Sequence, residues 1–158
     1  MSNTLVWANP LGTSPANWQA AFGTEINSLA SASYALSSVI ISNTTDLFTD
    51  GWISVALGSV APSAALAALS FFMQPLNQDG TTYGDGIQSG TVLPLLGGIG
   101  SMFWPTSATA AAQTGFLKIG IEIPPTSFKL GVVNNLGSAL AASGNTISIA
   151  LNNYNLNG

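Results

Sequence analysis

The chain has 158 residues, enough for one domain with a substantial core. Only 5% of its residues are charged, against about 25% in an ordinary soluble domain. Lys118 and Lys129 are the only bases, and Glu25, Asp46, Asp50, Asp79, Asp85 and Glu122 the only acids.

These numbers exclude several function classes. Two lysines cannot lay the basic footprint that nucleic acid requires. With no histidine and no cysteine, zinc, haem and iron–sulfur sites lack their ligands, and Ser-His-Asp or Cys-His nucleophilic machinery lacks its base. No disulfide can form, so packing must hold the fold. With 47% hydrophobic residues, the chain is expected to fold.

Residues 1–13 read as an extended N-terminal arm, punctuated by Asn9-Pro10 and Gly12. Ser14-Pro15 offers an N-cap and a first-turn proline, and Trp18 and Phe22 lie four apart, so a short helix is expected through Phe22, capping the core. The period then changes to two. Residues 34–41 form a strand candidate, and 43–51 a connection. Residues 52–60 alternate, with Ile53, Val55 and Leu57 on one face and Ser54, Ala56 and Gly58 on the other. Residues 65–73 suit a helix or a strand, and the strand is preferred.

A long loop follows at 75–90, with two Asp-Gly turns. Residues 91–96 and 99–104 read as short strands, and 106–114 as a small-residue loop. Residues 116–123 alternate most clearly, with Leu117, Ile119, Ile121 and Ile123 inward and Lys118, Gly120 and Glu122 outward. A strand at 128–133, a turn at 143–145, a strand at 146–151 and an uncharged tail at 152–158 complete the chain. The expected fold is all-β: an antiparallel, jelly-roll-like β-sandwich spanning 14–151 as one domain, with a short N-terminal helix and extended terminal arms.

The uncharged run 51–78 is broken by Ser54, Gly58, Ser59, Pro62, Ser63, Ser70, Gln74 and Pro75 and has no flanking base, so no membrane partner is expected. The start has no basic region ahead of an apolar run, so no targeting segment is expected.

Candidate sites are few. Asp79 and Asp85, among Thr81, Thr82 and Tyr83, have oxygens for a calcium ion, but Asp-Gly pairs also simply make turns. The acids form no recognisable glycosidase pair. Lys118 and Lys129 alternate with apolar residues and read as solvated, not catalytic. No catalytic residue, metal ligand or cofactor is assigned. The tryptophans Trp7, Trp18, Trp52 and Trp104 are scattered, suited to core packing, to interface anchoring or to a carbohydrate platform. Leu5, Trp7, Tyr83, Trp104 and Tyr154 are the interface candidates, two of them in the N-terminal arm.

The outward strand positions carry Ser, Ala, Gly and Thr, which pack closely without desolvating ions; charge depletion with aromatic enrichment is the composition of interface cores. A homo-oligomer, dimer or trimer, or a larger assembly is therefore expected. Four stretches carry a likeness: Trp18-Gln-Ala-Ala-Phe-Gly-Thr-Glu-Ile-Asn-Ser-Leu29, Gln78-Asp-Gly-Thr-Thr-Tyr-Gly-Asp-Gly86, Ile123-Pro-Pro-Thr-Ser-Phe-Lys129 and Asn134-Asn-Leu-Gly-Ser-Ala-Leu-Ala-Ala-Ser-Gly-Asn-Thr146. In these the chain resembles the jelly-roll cement or decoration proteins of tailed bacteriophage capsids. That resemblance implies a virion protein without catalysis, made in the host cytoplasm and seated as an oligomer on the major capsid protein. It assigns no individual residue. A carbohydrate-binding module of a tail or host-attachment structure is the alternative, and a carboxylate hydrolase a more distant one.

Overall fold

Alternation of apolar with small polar side chains gives each strand one face for the core and one for the outside. The computed structural model describes residues 4–8, 18–45, 47–83 and 98–157, with backbone pairing alone for 4–8 and 153–157. Nine strands are present among them: β1 (Thr4–Ala8), β2 (Gln19–Ala20), β3 (Ser33–Leu36), β4 (Asp50–Val60), β5 (Ala68–Pro75), β6 (Gly98–Phe103), β7 (Ala111–Lys118), β8 (Phe128–Asn135) and β9 (Thr146–Asn157). No helix among the described residues is long and apolar enough to cross a membrane.

The strands form two antiparallel sheets. One runs β1-β9-β4-β7, with β2 also on β9; the other runs β3-β8-β5-β6. If β1 and β2, both partners of β9, are counted as one first strand, the orders become 1-8-3-6 and 2-7-4-5. That is jelly-roll connectivity, in which the chain changes sheets at every connection except the β5–β6 return.

The core lies between the sheets. Ile53, Val55 and Leu57 of β4 and Ile147, Ile149 and Leu151 of β9 meet Leu69, Phe71 and Met73 of β5 and Phe128, Leu130 and Val132 of β8. Each fully buried side chain of this size contributes about 1.5–3 kcal/mol of transfer free energy. Phe22, Ile26, Leu136 and Leu140 add to it from the connections.

Amides, not ions, tie those connections down. The Asn43 carboxamide accepts from Phe48 N–H at 2.6 Å and donates to the carbonyls of Phe48 at 2.8 Å and Pro124 at 2.9 Å. Asn134 accepts from Leu136 N–H at 3.0 Å and donates to the Leu29 and Ser138 carbonyls, both at 2.9 Å. Asn145 accepts from Gly58 N–H at 3.1 Å and donates to Asn27 Oδ1 at 3.0 Å and to the Ala141 carbonyl at 2.7 Å. All three side chains are buried and bonded at both ends, as burial of a polar group demands.

The structure bears out the jelly-roll-like sandwich and corrects several expected elements. No helix forms at 18–22; Gln19–Ala20 pairs with Ile149 and Ser148 of β9, while 14–17 lie outside the described residues. Sheet pairing overrides the helical spacing of Trp18 and Phe22. Phe22 reaches the core as expected; Trp18 turns to the outside. The strand expected at 116–123 lies earlier, at Ala111–Lys118, in what reads as a loop from sequence. Beyond Lys118 the chain turns away from β4, with Ile119 N–H on the Gly51 carbonyl at 2.9 Å and Gly120 N–H on that of Ile99 at 3.3 Å. Ile119 and Ile123 still reach the core, but Ile121 is 40% exposed. The strand expected at 34–41 is Ser33–Leu36, and Ile41 forms a single bridge to Phe128. The strand expected at 91–96 lies outside the described residues.

Candidate interaction face

The outer face of the β9-β4-β7 sheet can be read row by row from its register. Trp52 lies between Ala150 and Lys118, Ser54 between Ser148 and Phe116, and Ala56 between Thr146 and Thr114. β2 adds Ala20 beside Ser148. Side chains two apart share a face, so Trp18 projects outward with Ala20. Its ring centroid lies 6.0 Å from that of Phe116 at 52°, a tilted aromatic contact. β2 and β7 flank β9 and β4, so the two rings meet above the intervening strands. There the outward residues Ser54, Ser148 and Ala150 are small enough to admit them.

The result is an aromatic ridge, Trp18 with Phe116 and Trp52 beside it, next to a lower half made of Ala56, Thr114 and Thr146. Phe116 is 68% exposed and Trp52 36%. An ion pair borders the face: Lys118 Nζ lies 3.1 Å from Asp50 Oδ2. A surface pair of this kind is worth about 0–1 kcal/mol, but it neutralises the margin.

The outer face of the other sheet is closed around Phe72. Phe72 is 6% exposed. A Cβ at Gly131, its cross-strand neighbour, would fall 2.0 Å from Phe72 Cζ, so the ring lies directly on the glycine. Its far edge meets Tyr34 at 6.3 Å and 61°. Gln74, on the same face, is buried with Oε1 lacking a hydrogen-bond partner. Further exposed apolar side chains are Ile40, Leu47 and Ile121, where Asn43 ties its loop to Pro124, Leu66 ahead of β5, and Phe103, which ends β6 opposite Ala68 on the outward register of this sheet and is 64% exposed.

The interface candidates from sequence fare differently. Trp104 is in the core, its backbone N–H on the Ala67 carbonyl at 2.9 Å and its ring over Gly115. Tyr83 is buried beside Leu76, with Lys129 Nζ 4.8 Å above its ring, a cation–π contact. Both are packed within the chain and present no anchor to a partner. The side chains of Leu5, Trp7 and Tyr154 lie outside the described residues. Their backbones pair in register, Leu5 with Leu156 and Trp7 with Tyr154, so β9 runs through the expected boundary at 151 and joins the two arms to each other.

Asp79 shapes its own loop. Oδ1 accepts the N–H groups of Thr81 and Thr82, each at 2.9 Å, and Oδ2 accepts the Thr82 hydroxyl. The Thr82 bonds, with that from Thr81, hold its carboxyl down to about 2. Gly80 supplies the positive φ that the turn needs. Asp85 lies outside the described residues. At Glu25, burial pushes the carboxyl up, but hydrogen bonds led by that from Ser38 N–H at 2.6 Å, then from the Glu25 and Gly23 backbone and last the Ser38 hydroxyl at 3.0 Å, leave it below the ordinary value. Both carboxylates are engaged as local turn and loop acceptors.

The sequence reading did not single out Phe116, and named Trp52 only among four scattered tryptophans; both are exposed. Their signal was available, since each sits on the outward register of an alternating strand: Trp52 with Ser54, Phe116 with Lys118. When the chain is compared with known proteins, no family model and no curated protein matches it.

Proposed function

We propose that this protein is a virion structural protein, a decoration or cement protein that seats on the outside of a bacteriophage head. Its partner is the major capsid protein, and it is made in the host cytoplasm. Three things support this reading: the resemblance of the four stretches to such proteins, a jelly-roll sandwich of the kind that serves in viral capsids and lectins, and above all the open, uncharged aromatic face of the β9-β4-β7 sheet. Exposed aromatics surrounded by small uncharged residues are what the centre of a protein contact requires.

The work such a protein does is mechanical. Binding adjacent capsomers at once lowers the free energy of the closed shell, and contacts that are weak singly add through effective concentration. No catalytic step is assigned. The test is sedimentation of the purified chain with shells assembled from the major capsid protein encoded in the same genome. The chain should pellet with the shells and raise the temperature at which they open. A chain left in the supernatant would refute the reading.

The same face favours one second reading. Trp52 and Phe116, with the hydroxyls of Ser54, Thr114, Thr146 and Ser148 nearby, also form a platform on which a sugar ring stacks, as in a host-attachment module. A glycan array read with the native chain and with Trp52→Ala and Phe116→Ala separates the two. Sugar binding lost in both variants would favour the platform, and no binding to any glycan would remove it.

A further inference from the structure

We infer that the outer face of the β9-β4-β7 sheet is where two copies of this chain meet, stacked face to face across a twofold axis. The inference rests on reading that face as a protein contact and gives it a second copy as occupant, so that seating on the shell falls to the rest of an exterior equally poor in charge.

The face carries both halves of a self-complementary surface. The ridge of Trp18, Trp52 and Phe116 occupies the rows of residues 52 and 54, and the low half of Ala56, Thr114 and Thr146 the next row along β4. A twofold axis lying in the interface, parallel to the sheet and running across the strands between the rows of Ser54 and Ala56, lays each copy's ridge on the other's low half. A twofold contact requires such self-complementarity, because the same patch serves on both sides.

Charge permits it too. Face-to-face stacking of a charged surface on itself opposes like charges, whereas the charges named here, Lys118 and Asp50, sit at the margin and pair with each other. Size permits it as well. β4 runs 11 residues and β7 8, the stretch of β9 paired with β4 spans 7 and β2 has 2, so the face covers roughly 450 Å² in projection. A standard interface buries about 800 Å² per partner, which the accessible surface of projecting aromatic side chains supplies. The other sheet's outer face offers no such ridge: Phe72 is folded onto Gly131, and the exposed Phe103 sits at the end of the edge strand β6.

Sedimentation velocity of the full chain without shells, across the micromolar range, tests this. The native chain should sediment as a dimer. Thr114→Arg should weaken association by more than about tenfold while leaving the far-UV circular dichroism native. Trp52→Ser serves as the second variant should Thr114→Arg fail to fold. Phe103→Ser, at the margin of the opposite sheet, should leave the dimer intact. In a chain without cysteine, Ala56→Cys should be joined to its partner by a short bismaleimide, and Ser101→Cys should not. A native chain that is monomeric throughout, or a dimer untouched by both face variants, overturns the inference. Shell binding is read separately: a monomer that pellets with shells sinks the self-pairing alone, and a dimer that ignores them sinks the decoration reading alone.

Discussion

On the four-stranded sheet, Phe72 lies on Gly131 and meets Tyr34 edge-on; on the five-stranded sheet, Trp18 and Phe116 meet above Ser54 and Ser148. Both faces lay aromatic rings over small residues, yet one ring is 6% exposed and the other 68%. On the first, the ring completes the monomer's own packing. On the second, it stands clear of the chain's surface. An outward aromatic is therefore no index of a binding site until its neighbours are known: Phe72 lies among outward residues that are themselves buried, Ala68 and Gln74, whereas Phe116 does not.

Substitutions at equivalent depth should respond in opposite ways. Phe72→Ala removes a buried ring and should cost about 3–5 kcal/mol in urea unfolding, as for a core phenylalanine. A cost no larger than that of Phe116→Ala would erase the contrast. Gly131→Ala drives a methyl into the Phe72 ring and should cost about 1–3 kcal/mol by overpacking. In a Phe72→Ala background that cost should largely vanish, so a double-mutant cycle measures the contact directly. Phe116→Ala should cost the monomer only about 0.5–1.5 kcal/mol, the worth of its pair with Trp18, and should be felt far more in association.

The smallest effect concerns the Asp79 loop, remote from the contrast and a control for it. Its carboxyl is held at about 2 chiefly by Thr82, below its unfolded value, so its contribution is present above the ordinary carboxylate range and is lost as pH falls through about 2. Carbon-detected NMR titration should find that midpoint, and Thr82→Val should raise it without altering self-association.

The sandwich was legible where one face alone is buried. At 52–60 and 146–151 the alternation of Ile53, Val55 and Leu57, and of Ile147, Ile149 and Leu151, shows directly in the sequence. β5 hid its period because Ala68, Phe72 and Gln74 are buried on its second face as well. β7 was displaced because Ala111 to Thr114 look like loop, yet their pairing with Val60 to Ala56 makes them strand. Trp18 was misread because spacing by four suits a helix face, whereas here it stands outward on an edge strand and Phe22 turns into the core. The asparagine clamps left no periodic signal at all, since their partners are backbone groups far along the chain, such as Leu29 for Asn134 and Pro124 for Asn43. The open face escaped for the same reason: its members Trp18, Trp52 and Phe116 become neighbours only through the register of β2, β9, β4 and β7.

The account holds that an exterior of hydroxyls, methyls and aromatic rings exists to contact other protein. The direct measurement is the number of copies retained on purified capsid shells as sodium chloride is raised from low to molar concentration. With few ion pairs to screen, occupancy should stay nearly constant. Steep release at moderate salt, or no retention at any salt, would contradict it.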